Sequence, residues 1–165
     1  MRNVKMVDIV VDEGFEKMLP DDPSICRAVE AASAEAHIFQ APHLCIRFAD
    51  DATVQSLNSQ WRGKESVTDI LSFPMQEGPE FDLDESLGDM ILATPFTISE
   101  ATRLSLPPTD HMLHLIVHGT LHLLGYDHMD DSEAEVMQKM ESEAMQKLAL
   151  HNPYPDEFYK DIPDV

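Results

Sequence analysis

The chain has 165 residues, 43% of them apolar and 25% charged; that is enough for one buried core, too little for two, and too ordinary a mix for a disordered, collagen-like or disulfide-scaffold protein. Eleven Lys and Arg against 31 Asp and Glu give a formal charge of −20 with His neutral. The molecule as a whole is therefore repelled by phosphate backbones and anionic membranes, and any contact with nucleic acid has to come from a local site.

Val4 to Val11 alternates loosely and is rich in Val and Ile, which predicts a first strand. Pro20, Asp21, Asp22 and Pro23 mark a turn before an Ala-rich helix over Ile25 to Phe39, whose apolar positions include Ile25, Ala28, Val29, Ala32 and Ala36. A second strand fits His43 to Phe48. Asp50 and Asp51 start a short helix carrying Val54, Leu57 and Trp61. After the polar loop Arg62 to Ser66 comes a third strand, Thr68 to Phe73, stopped by Pro74. The acidic stretch Met75 to Ser86 reads as a surface loop, Leu87 to Ala93 as a fourth strand, and Ile98 to Leu104 as a short helix. A strong helix runs from about Asp110 to Leu124 and ends at Gly125, where a left-handed cap is wanted. The last helix is expected to start at Ser132, with Glu135 completing a capping box and Val136, Met137, Met140, Ala144 and Leu148 as its apolar stripe. Residues 1–150 form the expected domain, and 151–165 an acidic, frayed tail. Strands and helices mix without a regular βαβ rhythm, which argues for an α+β fold.

No apolar run approaches the ~18 residues that cross a bilayer. Met1 to Gly14 carries charges inside its apolar stretch and lacks a small-residue cleavage site. Cys26 and Cys45 make neither a framework nor a CxxC pair. A cytoplasmic protein with no membrane association is the expectation.

Five of the eight histidines fall in HMLHLIVHGTLHLLGYDH, between His111 and His128. His111, His114, His118 and His122 step by 3, 4 and 4, so all four lie on one side of a helix. His114 and His122 are separated by roughly 12 Å along the axis, at about 1.5 Å per residue, too far to share an ion easily. His118 and His122 form an i, i+4 pair, Gly125 lets the chain turn back, and His128 returns six residues after His122. This is the H-x3-H-x2-G-x2-H spacing of metzincin-type zinc hydrolases. In the protease version a Glu follows the first histidine and serves as general base; here that position is Gly119, which disfavours a peptidase of that mechanism. Three imidazoles leave a fourth coordination position for water and leave the ion's double charge uncancelled, which makes a local spot that attracts anions. Asp127 is a candidate to orient a ligand ring, against the plainer reading of a turn residue. Nickel and copper also suit imidazole, so zinc is favoured with other divalent transition metals as alternatives.

HGTLHLLGYDH (His118 to His128), LNSQWRGKESVTDILSFP (Leu57 to Pro74) and LGDMIL (Leu87 to Leu92) together resemble the YbeY family of metal-dependent endoribonucleases of ribosomal RNA maturation. The resemblance implies a small α+β fold with about five helices on a mixed four-stranded sheet, the metal site lying on the long helix and the turn after it. It also implies one zinc ion held by His118, His122 and His128, and an arginine important for activity at Arg62, preceded by the aromatic Trp61. Single-strand-specific cleavage in forming the 3′ end of small-subunit ribosomal RNA, and ribosome quality control, follow as expected roles. Ribosomal RNA and the ribosome or its proteins are the expected partners, with no DNA. One departure is Ser66-Val67, where a Lys-Pro or similar pair is common; the loss of a basic residue near Lys64 weakens the expected RNA contact.

The residues themselves speak for Arg62 with less force. Between Asp50 and Asp89 the only basic side chains are Arg62 and Lys64. A guanidinium matches a phosphate bidentately and stabilises charge building up at phosphorus; the bland alternative is a loop cation paired with Glu65 or Asp69. Arg62 is thus the expected catalytic residue, and Arg62 with Lys64 the substrate-binding pair. The general base is left open between a metal-bound hydroxide, Asp127 and a substrate hydroxyl. Two rivals stand beside this reading: a metal-dependent hydrolase of peptides or small molecules, and a non-catalytic ribosome-assembly factor with a structural zinc.

Overall fold

Short polar side chains and prolines set where the helices begin. The computed structural model describes residues 7–155, with strands β1 (Val7–Val11), β2 (His43–Ala49), β3 (Ile70–Pro74) and β4 (Ser86–Ala93) and helices α1 (Asp22–Glu35), α2 (Asp51–Arg62), α3 (Thr94–Arg103), α4 (Pro108–Leu123) and α5 (Asp131–Lys147). The carboxylates of Asp21, Asp50 and Asp130 accept from the backbone N–H of Ser24, Thr53 and Glu133 and so cap α1, α2 and α5. Pro23, Pro95 and Pro108 sit in the first turns of α1, α3 and α4, where a missing N–H costs nothing.

These caps correct several expected boundaries. Of the residues read as a turn before α1, Asp21 is its cap and Asp22 and Pro23 open its first turn, and the helix stops at Glu35, because His37 is left-handed (φ +60°) and Ile38 N–H returns to the Ser33 carbonyl. Helix α5 starts at Asp131, not Ser132: the capping pair is Asp130 with Glu133, two residues before the one expected. Val136, expected in its apolar stripe, is 53% exposed. Residues 4–6 of the expected first strand and 156–165 of the expected tail lie outside the described residues.

The sheet is mixed, in the order β1-β2-β4-β3, with β1–β2 and β2–β4 parallel and β3–β4 antiparallel. Pro74 is tolerated because β3 is an edge. Period-two alternation sorts the two faces. Leu44, Ile46, Phe48, Met90 and Leu92 enter the main core with α1, α4 and α5, while Ala49, Leu71 and Ala93 face a smaller cluster with Val54 of α2. Gly88 is required where β3 and β4 meet: its φ is +140°, and a Cβ there would stand 2.3 Å from the Phe73 carbonyl oxygen.

Helix α4 packs against α1, α3, α5, β3 and β4. Met112, Ile116, Val117, Leu121 and Leu123 are buried around nearly its whole circumference, the pattern of a central helix. Among the described residues no helix is long and apolar enough to cross a membrane. Residues 151–155 return to the body, where the Tyr154 hydroxyl donates to Glu141 at 2.9 Å.

Gly88→Ala combines left-handed strain with a backbone clash. It is expected to destabilise the fold by about 2–3 kcal/mol, read as a lower urea midpoint with an unchanged slope; a midpoint equal to that of the unmodified chain would contradict this reading of the β3–β4 contact.

Candidate metal centre

The histidines follow from the burial of α4. Most of the helix surface is committed to packing, and the strip left carries His111, His114, His118 and His122. His111 is buried, whereas His118 and His122 are half-buried and reach the surface near the helix C-terminus.

The helix ends in a Schellman turn. Tyr126 N–H bonds to the Leu121 carbonyl and Gly125 N–H to that of His122, both at 3.0 Å, with Gly125 at φ +94°. This turn reverses the chain and brings His128 back over the last turn of the helix. The His128 ring centroid lies 5.8 Å from that of His118 and 5.1 Å from that of His122.

One ligating atom from each of His118, His122 and His128 falls within 4.8 Å of the others. Two nitrogens bound tetrahedrally at 2.0–2.1 Å stand roughly 3.3–3.4 Å apart, so small rotations of the rings suffice. The Nε2 atoms of His118 and His122 are already 3.0 Å apart. Two neutral imidazole lone pairs that close repel unless a proton or a cation sits between them, so the donor set fits a divalent ion. Burial, with His118 and His128 adding like charge, pushes His122 down to about 4. This ring therefore stays in the neutral, ligating form over the physiological range.

Gly119 explains the missing glutamate. A Cβ at this position would stand 2.9 Å from both Ile70 Cδ1 and Met90 Sδ, because this side of α4 faces the sheet. No side chain placed there reaches the histidines.

Asp127 takes the turn role, its Oδ1 accepting from the His128 backbone N–H at 2.8 Å. Asp69 likewise serves the backbone, accepting from Ile70 N–H at 2.7 Å.

Arg62 and Lys64 flank Gly63, whose left-handed φ of +67° turns the chain at the end of α2. Gln55 and Asn58 donate to the Glu65 and Ser66 carbonyls and hold this loop against the helix. Arg62 donates weakly to the Ser72 carbonyl at 3.5 Å, and among the described residues it forms no ion pair with Glu65 or Asp69. A cleft of about 570 Å³ is lined by Arg62, Lys64, Ser72, Gln76, His122, Asp127 and His128 among others. The loop after α2 and the turn after α4 thus share one opening, although 58 to 66 residues separate Arg62 and Lys64 from His122 and His128 in sequence.

One residue missing from the sequence reading is Glu141 of α5. It is 1% exposed and touches His114 and His118, at 2.7 and 3.2 Å. Burial alone would raise its carboxyl, but hydrogen bonds from His114 and then His118 outweigh it and hold the group at about 2. The available signal was a charge on the buried stripe, at position 141 between Met137 and Ala144.

The model of the family described as Endoribonuclease YbeY matches residues 22–149. A protein of that name from Azorhizobium caulinodans is 38% identical over 151 residues, covering 90% of this chain and 95% of its own. Those of Rhizobium johnstonii and Alteromonas mediterranea are 44% and 45% identical over 115 and 109 residues, covering 69% and 66% of this chain and 67% and 68% of their own. A protein of Thermotoga maritima solved in solution shares the fold, with a TM-score of 0.54 at 21% identity over 96% of this chain and 100% of its own. The chain belongs to the YbeY family.

Gly119→Glu would force a carboxylate between Ile70 and Met90. A loss of about 3 kcal/mol or more is expected from overpacking and uncompensated burial, visible in thermal melts, with no peptidase activity gained. A variant as stable as the unmodified chain would show that this position does not face the sheet as described.

Proposed function

We propose that the chain is a zinc-dependent endoribonuclease that cuts single-stranded ribosomal RNA in the cytoplasm, acting in small-subunit 3′-end maturation and ribosome quality control, with ribosome or ribosomal proteins as partners. The observation that carries the proposal is the shared cleft: His122 and His128 of the histidine cluster and the two cations of the α2 loop border the same 570 Å³ space. The names of the relatives, endoribonucleases of the same family over most of the chain, support the substrate class.

In this reading His118, His122 and His128 hold the ion. Zinc bound there supplies Lewis acidity and lowers the pKa of a coordinated water, and three neutral ligands leave its charge intact. Arg62 grips the scissile phosphate, its guanidinium matching two phosphate oxygens and stabilising the charge that builds up in the transition state. Lys64 adds a point charge to the adjoining backbone. Glu77 and Asp127 border the same cleft and oppose the dense phosphates of a duplex, which favours a single strand entering one phosphate at a time. Ordering of a ligand ring by Asp127 is not part of the proposal, since its carboxylate is engaged by the backbone beside it.

Three outcomes test this. His122→Ala should lose tight zinc binding and RNA cleavage together; a variant retaining stoichiometric zinc and full cleavage contradicts the ligand set. Arg62→Ala should keep zinc and its thermal stability but lose about 10²–10³ in cleavage rate on single-stranded RNA. Full activity of Arg62→Ala would favour a cleft that binds without Arg62, and absence of cleavage by highly purified, zinc-loaded wild type would favour the assembly-factor alternative. Because imidazoles ligate only when neutral, zinc affinity should fall as the pH is lowered towards the value of about 4 at which His122 itself takes up a proton; affinity unchanged through that range would rule out imidazole ligation.

A further inference from the structure

We propose that Glu141 is the positioning residue of the metal centre: from the buried face of α5 its carboxylate holds the His118 ring through Nδ1, so that the Nε2 lone pair of that ring is presented to the ion. The inference rests on the ligand set proposed above.

Glu141, 1% exposed, is the only acidic residue buried as a whole among the described residues. Burying such a charge costs several kcal/mol unless partners compensate. The partners here are two imidazoles and a phenol: a single oxygen, Oε1, lies 2.7 Å from His114 Nε2, 2.9 Å from the Tyr154 hydroxyl and 3.2 Å from His118 Nδ1. An ionised carboxylate can only accept, so every group facing it has to bring its hydrogen. For His118 that hydrogen is on Nδ1. A neutral imidazole carries one N–H, so Nε2 is left as a bare lone pair, and this is the atom 3.0 Å from His122 Nε2.

The carboxylate does two things at once. It selects the tautomer and the rotation of the ring, and its negative charge makes the ring a stronger donor to a cation. His114 and Tyr154 bond to the same oxygen, Oε1, and so fix its place beside His118. The stripe around it is Met137, Met140, Ala144 and Met145, where an apolar residue would avoid the desolvation cost altogether. A purely structural role needs no third donor from a ring of the candidate metal site.

The test combines tautomer and affinity in the full chain. In metal-free wild-type protein, ¹⁵N imidazole NMR should show His118 protonated on Nδ1; protonation on Nε2 overturns the proposal without any variant. In Glu141→Gln, confirmed folded by circular dichroism, zinc affinity from chelator competition should fall about 10- to 100-fold and the His118 tautomer should become mixed. A folded Glu141→Gln with zinc affinity within about twofold of wild type and an unchanged tautomer overturns it. If the amide variant does not fold, Glu141→Asp draws the oxygen away from His118 while keeping the charge; weakened zinc binding supports the role and wild-type affinity overturns it. His118→Ala separates the two levels. Lost zinc there beside full affinity in Glu141→Gln sinks only the role of Glu141, whereas zinc retained in His118→Ala sinks the ligand set and this inference with it.

Discussion

The burial of α4 constrains everything else in this molecule. With the sheet on one side and α1, α3 and α5 around the others, the helix has nearly no surface left, and its histidines have one direction in which to project. The same confinement fixes the backbone that carries His118 and His122, so their approach does not depend on a flexible loop. Rigid elements hold a ligand constellation more closely than loops do, and here only His128 arrives on a loop. That loop is short and is pinned at its root by the Schellman turn at Gly125.

Charge organisation follows from the same geometry. A molecule of net charge −20 has little intrinsic attraction for RNA. Arg62 and Lys64, set on either side of a left-handed glycine, and the uncancelled charge of an ion on three neutral rings would place positive potential in one cleft. The rest of the surface remains repulsive, which discourages unproductive binding elsewhere and makes RNA encounters sensitive to salt.

Much of this was legible in the sequence, and what was not has identifiable causes. The order and type of the strands and helices follow from alternation, helical spacing and the Asp and Pro residues at helix starts. Boundaries slipped where capping competes, as at Asp130, where an earlier Asp–Glu pair takes the cap, and at His37, where a non-glycine residue accepts the left-handed conformation. The histidine triad was readable because its spacing is local: one helix and the turn after it. The cleft was not, because it joins the α2 loop to the α4 turn across β3, and which elements pack together is not printed in a single sequence. Glu141 was missed for a related reason. Its partners come from His114 and His118 of α4 and from Tyr154, and only packing of α5 on α4 brings them to one oxygen. The sense of Gly119 also changed: from sequence it is a missing base, whereas in the fold it is a position that Ile70 and Met90 leave no room to fill.

The most direct test of the central claim, that three imidazoles from α4 and its following turn share one divalent ion, is X-ray absorption spectroscopy of the zinc-loaded protein. Three imidazoles on one ion require nearest neighbours of nitrogen and oxygen at about 2.0–2.1 Å, with more distant scattering from three imidazole rings and no sulfur. Sulfur at about 2.3 Å, or scattering from fewer than three rings, would contradict it.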